Sequence, residues 1–398
     1  MKRYFLVTLF FLSAIFSLQQ ATAQTADSTP VKRYRVGVFA PLYLDSVFSV
    51  AGNFRFKEGM PKFIVPAVDF INGVQAGLDS FKTEHENVDV YIYDTKSYTQ
   101  PLSSLIRNKK LDSLDLLIGA VRDFEYKYLA NLALAKHIPF ISASYPNDGG
   151  VTENPFVVIL NSTLKAHCEA IYSYLLQNHG TNKIFLCRRT GQQEDRVAGY
   201  FKAINEQDGK PLLNIQTINV DSAFTAATLK PKLDSNRHTV VIGASLDEGF
   251  ANSLTAACYE FYEKYPLTLI GMPNWDGFKS LVKKDAYDDF PIFYTTPYFN
   301  TKNDENSKVV INAFAAKLKG KPSDMAFKGF ECAQVFIKML TKYPGDFMSH
   351  LNDKTFKMYS EYNLKPVMLK KTGTVPDYFE NKHLFFVRIL NGNLFKAW

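Results

Sequence analysis

The chain has 398 residues, of which 46% are hydrophobic and 14% aromatic, and its 46 basic and 39 acidic residues give a formal charge of +7. This length suits two domains of ordinary size, each with its own hydrophobic core. The charges are dispersed singly and in mixed pairs, without the basic stripe of a nucleic-acid binder, so we expect no nucleic-acid partner.

The N-terminus has the order of a secretory signal peptide. A basic Met1–Arg3 precedes an apolar Tyr4–Leu18 and the small residues Ala21–Ala23, which predicts removal of residues 1–23. A membrane anchor is the alternative, although the run is shorter than the roughly 20 residues of a bilayer span. The first cysteine is Cys168, so no cysteine follows the signal for lipid attachment. We therefore expect a periplasmic protein that is not a lipoprotein and has no membrane span in its mature chain.

Strands and helices alternate from Tyr34 onward. In the first part of the chain, apolar runs and period-2 alternation predict strands over Tyr34–Ala40, Val88–Asp94, Leu114–Val121 and Ile138–Ser142, and three-and-four spacing predicts helices over Phe63–Phe81 and Phe124–Lys136. The loop Tyr145–Pro155 is rich in Pro, Asn, Asp and Gly. These residues favour turns, so this loop is the predicted lobe boundary.

A second alternating series follows this loop. Strands are predicted over Phe156–Leu160, Ile184–Cys187, Leu213–Val220, Thr239–Gly243, Leu267–Gly271 and Phe290–Thr295. A helix is predicted after Ser162, which is its candidate N-cap. Further helices are predicted over Asp195–Asn205, Phe250–Phe261, Val309–Leu318 and Ala326–Leu340. The tail adds strands near Val367–Leu369 and Leu384–Leu390, with a hairpin turn at Asn391-Gly392.

Alternating strands and helices indicate parallel sheets covered on both faces, and some ten strands exceed what one such sheet usually carries. The predicted fold class is therefore α/β, with two doubly wound parallel-sheet lobes, a multi-segment hinge and a ligand cleft between them. We assign residues 31–148 and 300–345 to lobe I, and residues 149–299 and 346–398 to lobe II.

Local motifs of catalysis are absent from the sequence. It contains no G-x-G-x-x-G after a strand, no P-loop, no H-E-x-x-H and no metal-ligand spacing among its seven histidines. Gly243–Asp247 departs from a nucleophile elbow because Asp247 replaces the second glycine. We expect no catalytic residue, no metal and no cofactor. The four cysteines are Cys168, Cys187, Cys258 and Cys332, and export allows them three full disulfide pairings. Buried thiols are the preferred interpretation of Cys168, Cys258 and Cys332, which lie at apolar helical spacings.

Ligands of open α/β sheets bind outside the carboxyl ends of the strands, so the candidate ligand-binding residues are those that follow the predicted strands. Those in the first lobe are Tyr43, Arg122, Asp123, Ser142, Ser144 and Tyr145. Those in the second series are Arg189, Ser245, Asp247, Asn274, Trp275, Asp276 and Tyr298.

Each candidate type has a structural alternative. The serines can cap turns, Arg189 can belong to an ion pair, Trp275 can be a core residue, and Asp247 can be a helix N-cap. In the functional interpretation, Arg122 and the serines suit an anionic group, whereas Asp247 and Asp276 suit a cationic one. This set predicts a zwitterion or small polar acid as the ligand.

The chain resembles the type I periplasmic binding proteins, in particular their leucine/isoleucine/valine-binding branch and the related extracellular ligand-binding receptors. The resemblance covers about residues 34–398 and rests on the order of Arg35–Leu42, Leu117–Ala120, His137–Ser144 and Ala326–Ala333, the last where the family has Gly-Tyr-Asp before a helix. It implies two lobes joined by three crossovers that close on a ligand, for an ATP-driven permease or for sensing.

The resemblance also implies roles for particular positions. Arg122 and Ser142–Ser144 stand where relatives hold a ligand carboxylate, and Asp276, just after Gly271-Met272-Pro273, stands near their ammonium-binding acid. Arg122 replaces a small hydroxyl residue, and Ser245 stands where lobe II often has an aromatic. The leading hypothesis is a solute-binding protein that delivers a small polar ligand, such as an amino acid, to an ABC permease in the inner membrane. The alternatives are an envelope-associated receptor or scaffold without transport, and an enzyme.

Overall fold

The computed structural model describes residues 32–81, 87–207, 209–221, 223–318, 320–370 and 372–398. The predicted signal peptide and its cleavage site lie outside these residues. Among the described residues, no helix combines the length and apolar content that a bilayer span needs.

The helices and strands follow one another largely as the sequence predicts. The first part of the chain forms β1 (Tyr34–Ala40), α1 (Leu44–Val47), α2 (Val65–Ser80), β2 (Val88–Asp94), α3 (Leu102–Arg107), β3 (Leu116–Gly119), α4 (Asp123–Lys136), β4 (Phe140–Ser142) and β5 (Val157–Ile159). The middle part forms α5 (Leu164–Asn178), β6 (Lys183–Arg189), α6 (Gln192–Asn205), β7 (Ile215–Val220), α7 (Ala226–Leu229), β8 (Thr239–Gly243), α8 (Glu248–Tyr259), β9 (Leu267–Ile270) and β10 (Ile292–Thr296). The last part forms α9 (Glu305–Leu318), α10 (Asp324–Cys332), a π-helical turn (Ala333–Ile337), α11 (Lys338–Lys342), β11 (Leu364–Val367), β12 (Tyr378–Asn381), β13 (Phe385–Leu390) and β14 (Asn393–Lys396).

Two seven-stranded sheets form the cores of two lobes. The strand order is β11-β12-β5-β4-β3-β1-β2 in the first sheet and β14-β13-β10-β9-β8-β6-β7 in the second. All residues of the central strands β3 and β8 are buried, as expected of parallel strands with helices on both faces. β11 runs antiparallel to β12, and β13 runs antiparallel to β10, so both sheets are mixed toward one edge. The predicted fold class of two α/β lobes is confirmed.

Helix α10 belongs to lobe I because it packs backbone to backbone against α2. A Cβ atom at Gly329 would overlap the carbonyl group of Phe70, and one at Gly73 would overlap that of Ala326. Only glycine allows the two helices to approach so closely. This contact explains why a segment late in the sequence returns to the first lobe.

The strand pairings shift two of the predicted lobe boundaries. β5 was placed after the boundary at 148/149, but it pairs with β4 in register Phe140↔Val157. Residues 346–398 were assigned to lobe II as one piece, but β12 pairs with β5 and only β13 and β14 join the second sheet. The loop Tyr145–Pro155 is therefore a connection within lobe I. Asn154 fixes this loop by donating from Nδ2 to the Ala130 carbonyl over 2.8 Å.

Three crossovers join the lobes, after β5, after β10 and between β12 and β13. The first and third are hydrogen-bonded to each other, since Ser162 Oγ donates to the Asn381 carbonyl over 2.6 Å and the Thr163 N–H donates to Glu380 over 2.7 Å. Thr163, not the predicted Ser162, caps α5. β5, β10 and β12 all leave their sheets by their carboxyl ends, and β13 enters opposite Thr296. The carboxyl edges of both sheets therefore meet at the hinge and face a common cleft.

The four cysteines are buried free thiols, which confirms the preferred interpretation of Cys168, Cys258 and Cys332 and adds Cys187 to it. Burial raises the pKa of the Cys168, Cys187, Cys258 and Cys332 thiols well above the ordinary range. These thiols therefore behave as small apolar core groups at neutral pH.

Candidate ligand-binding cleft

A cluster of charged side chains lines the lobe II side of the cleft. Arg189, at the end of β6, donates from Nε to Glu194 over 2.9 Å and lies 3.1 Å from Asp247 through Nη1. Ser245, just after β8, donates from Oγ to the same Glu194 oxygen over 2.6 Å. The structure thus brings together three residues that the sequence predicted, around a fourth that it missed.

Glu194 organises this cluster because its side chain is only 2% exposed. Burial acts to raise the pKa of this carboxyl, but hydrogen bonds from Ser245 and Arg189 outweigh burial and hold the pKa below its usual value. One guanidinium thus lies among two carboxylates, which leaves a net negative charge. Asp247 also caps α8 by accepting from the Phe250 N–H, so its predicted alternative as a helix N-cap is correct.

Of the three predicted residues in the turn after β9, Trp275 lies in the core, whereas Asn274 is half-buried and Asp276 is accessible to solvent. Trp275 is fully buried, its ring lies against Gly243 and Gly271, and its Nε1 donates to the Ser245 carbonyl over 3.0 Å. The prediction of Trp275 as a ligand platform is wrong, and its alternative as a core residue is correct. Asn274 fixes the turn by donating to the Leu246 carbonyl. Asp276 follows Trp275 in the same turn and is accessible to solvent, although partial desolvation of its carboxyl raises the pKa above the ordinary value.

The predicted residues of lobe I also differ in exposure: some are accessible to solvent and others are buried. Arg122 is exposed just before α4, and no described contact involves its guanidinium. Asp123 accepts a 3.2 Å hydrogen bond from the Tyr145 hydroxyl. Ser142 is fully buried and its Oγ has no hydrogen-bond partner among the described residues, so its hydroxyl does not reach the cleft surface. Side chains at the carboxyl end of a strand can point to either face of the sheet or beyond its edge, and the Ser142 side chain points into the packed interior.

Two more predicted residues of lobe I, Ser144 and Tyr43, are half-buried. The Ser144 carbonyl accepts from Asn161 Nδ2 over 2.8 Å. Tyr43 has a left-handed backbone, its N–H donates to Asp94 over 3.0 Å, and its ring meets Phe63 edge to face at 5.2 Å. Both residues lie just beyond the carboxyl ends of their strands, Tyr43 after β1 and Ser144 after β4.

Lys328 of α10 lies at the hinge end of the cleft and was not predicted. Its Nζ is 5.2 Å from the centre of the ring of the predicted residue Tyr298. Tyr298 lies in the second crossover, just after β10. Lys328 and Tyr298 line a small cavity whose other walls are Ala143, Leu160, Asn161, Pro297, Ser360 and Tyr362. Desolvation lowers the pKa of the lysine, while nearby acids act in the opposite direction. The only sequence signal was its place beside Gly329 in the run Ala326–Ala333.

Comparisons with known proteins agree with this architecture. A family model described as periplasmic binding protein matches residues 66–357. A putative branched-chain amino acid ABC transporter from Rhodospirillum rubrum superposes with a TM-score of 0.65 at 12% identity, covering 92% of this chain and 100% of that one.

Two further solved structures are similar in fold. A branched-chain amino acid ABC transporter periplasmic ligand-binding protein from Burkholderia xenovorans has a TM-score of 0.58 at 14% identity, with 89% and 90% of the two chains covered. An ABC transporter substrate-binding protein from Desulfitobacterium hafniense, in complex with Leu, has a TM-score of 0.52 at 12% identity, with 92% and 100% covered. No curated protein sequence is significantly similar to the chain.

Proposed function

The chain belongs to the periplasmic binding protein family, and from this premise we propose that it is an exported, non-enzymatic solute-binding protein that closes on a small zwitterion or polar acid. The observation that carries the proposal is the convergence of both carboxyl sheet edges on one cleft through three crossovers. A ligand that touches both edges favours the closed arrangement by its differential affinity for it.

The charges along the cleft support a ligand of mixed charge. Arg122 on lobe I has no described partner and can donate two parallel hydrogen bonds to a carboxylate. Asp276 and the net negative cluster around Glu194 and Asp247 on lobe II suit an ammonium group. An amino acid or a related zwitterion satisfies both sides at once, whereas a neutral sugar leaves these charges unpaired.

We further propose that the protein works in the periplasm and delivers its ligand to an ABC permease in the inner membrane. This step is supported by the relatives of similar fold, which are described as ABC transporter substrate-binding proteins. It is also supported by the order of basic, apolar and small residues at the N-terminus. A receptor or scaffold role would use the same closure without a permease.

A thermal-shift screen of amino acids, short peptides, sugars and nucleosides tests the ligand class. A true ligand at about 100 times its dissociation constant adds roughly 2.7 kcal/mol of stability. Small-angle scattering with the same ligand should show a more compact particle. A response to sugars alone would refute the zwitterion, and an unchanged scattering profile at saturation would refute a site that bridges the lobes. Growth on the ligand after deletion of adjacent permease genes separates transport from sensing.

A further inference from the structure

Lys328 is a half-buried cation without an ion-pair partner among the described residues. The two acids nearest to it along α10 are already engaged. Asp324 pairs with Lys302 at 2.9 Å. Glu331 accepts hydrogen bonds from the Ser360 N–H at 2.9 Å, from Ser360 Oγ at 2.7 Å and from the Tyr362 hydroxyl at 3.0 Å. Folding therefore removes part of the water around the Lys328 ammonium group, and no ion pair among the described residues takes its place.

The position of Lys328 directs its charge toward the cleft. The cavity that it lines is bounded by residues that directly follow three strands: Ala143 after β4, Leu160 and Asn161 after β5, and Pro297 after β10. These strand ends belong to both lobes. The ammonium group thus lies at the hinge end of the cleft, where a ligand held between the lobes would reach it.

Arg122 is a second cation of lobe I without a described partner, and it follows β3. Asp276 of lobe II has no ion-pair partner among the described residues, and it is close enough to Lys328 for each charge to influence the other. Two further acids at the strand ends of lobe I, Asp94 and Asp123, accept hydrogen bonds from the protein itself. Asp94 accepts the N–H groups of residues 42, 43, 44 and 96, and Asp123 accepts the Tyr145 hydroxyl.

Lys328 and Arg122, which have no ion-pair partner among the described residues, together with the Asp276 carboxylate match a ligand that has two anionic groups and one cationic group. We propose that the ligand is an acidic amino acid or a related amino dicarboxylate, and that Lys328 binds its second carboxylate at the hinge end of the cleft. This inference rests on the proposed function, which requires only that some small zwitterion or polar acid binds. Lys328 is then the residue that discriminates between a ligand with an acidic side chain and the corresponding neutral amide.

Titration calorimetry with L-glutamate, L-aspartate, L-glutamine, L-asparagine and L-leucine tests the assignment. The wild-type protein should bind one of the acids at least about tenfold more tightly than its amide. Lys328→Gln should weaken binding of that acid by roughly 10- to 100-fold and leave binding of the amide nearly unchanged, because a charge-assisted contact is lost only with the acid. Lys328→Arg should restore part of the preference.

Lys308→Gln is the matched control, since this lysine lies on the neighbouring helix α9, is exposed and forms an ion pair with Glu305. It should leave all five affinities unchanged. The melting temperature of each unliganded variant shows whether it is folded. Retention of the acid preference in a folded Lys328→Gln variant would overturn the inference. Tight binding of L-leucine or of an amide in preference to both acids would overturn it while the proposed function stands. Failure of every zwitterion and small polar acid to bind would remove both.

Discussion

The buried histidine of lobe II makes the stability of that lobe depend on pH in a calculable way. His167 is 2% exposed in the first turn of α5, and its Nδ1 lies 2.8 Å from Thr295 Oγ1 of β10. Burial lowers the pKa of the imidazole from its ordinary 6.5 to about 3, against the smaller opposing effect of hydrogen bonds with Ser162 and Thr295. The neutral ring is thus part of the folded core.

The sign of the effect follows from proton binding. Below pH 6.5 the unfolded chain protonates His167 while the folded chain does not, so stability is complete above pH 6.5 and falls as the pH drops toward about 3. Each pH unit below 6.5 costs about 1.4 kcal/mol, which amounts to about 2 kcal/mol at pH 5. Other groups also titrate in this range, and a variant is needed to isolate this one.

His167→Gln removes the titration and retains a polar group. We expect the variant to be about 1 kcal/mol less stable than the wild type at pH 7, because its contact with Thr295 is poorer. It should lose about 2 kcal/mol less than the wild type between pH 7 and pH 5. Urea unfolding followed by tryptophan fluorescence reports on lobe II, since Trp275 lies in its core and Trp398 follows β14 of its sheet. If both proteins lose stability in parallel between these pH values, His167 is not held neutral by burial.

Three other variants test the cleft, the hinge and the helix contact. Arg122→Ala should abolish the ligand-induced thermal shift and change the unliganded melting temperature little, because the side chain is exposed; intact binding would refute its role. Lys382 Nζ lies 2.6 Å from the buried Glu380 carboxylate. Lys382→Met should therefore destabilise the protein by about 3 kcal/mol in chemical unfolding, because Glu380 loses its ion pair. An unchanged stability would mean that water replaces the lysine. Gly329→Ala should lower the free energy of unfolding by about 2 kcal/mol or more, because α10 would have to move away from α2. The control Gly199→Ala places a Cβ in open space on α6 and should raise the free energy of unfolding by about 0.5 kcal/mol. Equal effects at the two sites would contradict this explanation.

The residues of the candidate cleft were predicted unevenly, because the direction of each side chain decides whether it reaches the cleft. Arg189, Ser245 and Asp247 follow strands, and the rule that ligands bind beyond carboxyl strand ends found them. Ser142 and Trp275 also follow strands, but their side chains point into packed space. Glu194 and Lys328 lie in helices and are brought to the cleft by packing, so no rule about strand ends could find them.

The sequence by itself determined where most helices and strands lie, and that the chain builds two α/β lobes. Hydrophobic periodicity and turn residues act over a few positions, so they can be seen without the fold. Only the tertiary structure decided which sheet each strand joins. β5 precedes the first crossover and β12 returns to pair with it from more than two hundred residues away. That pairing depends on contacts between distant segments, and these same contacts place α10 on α2 and Lys328 at the hinge.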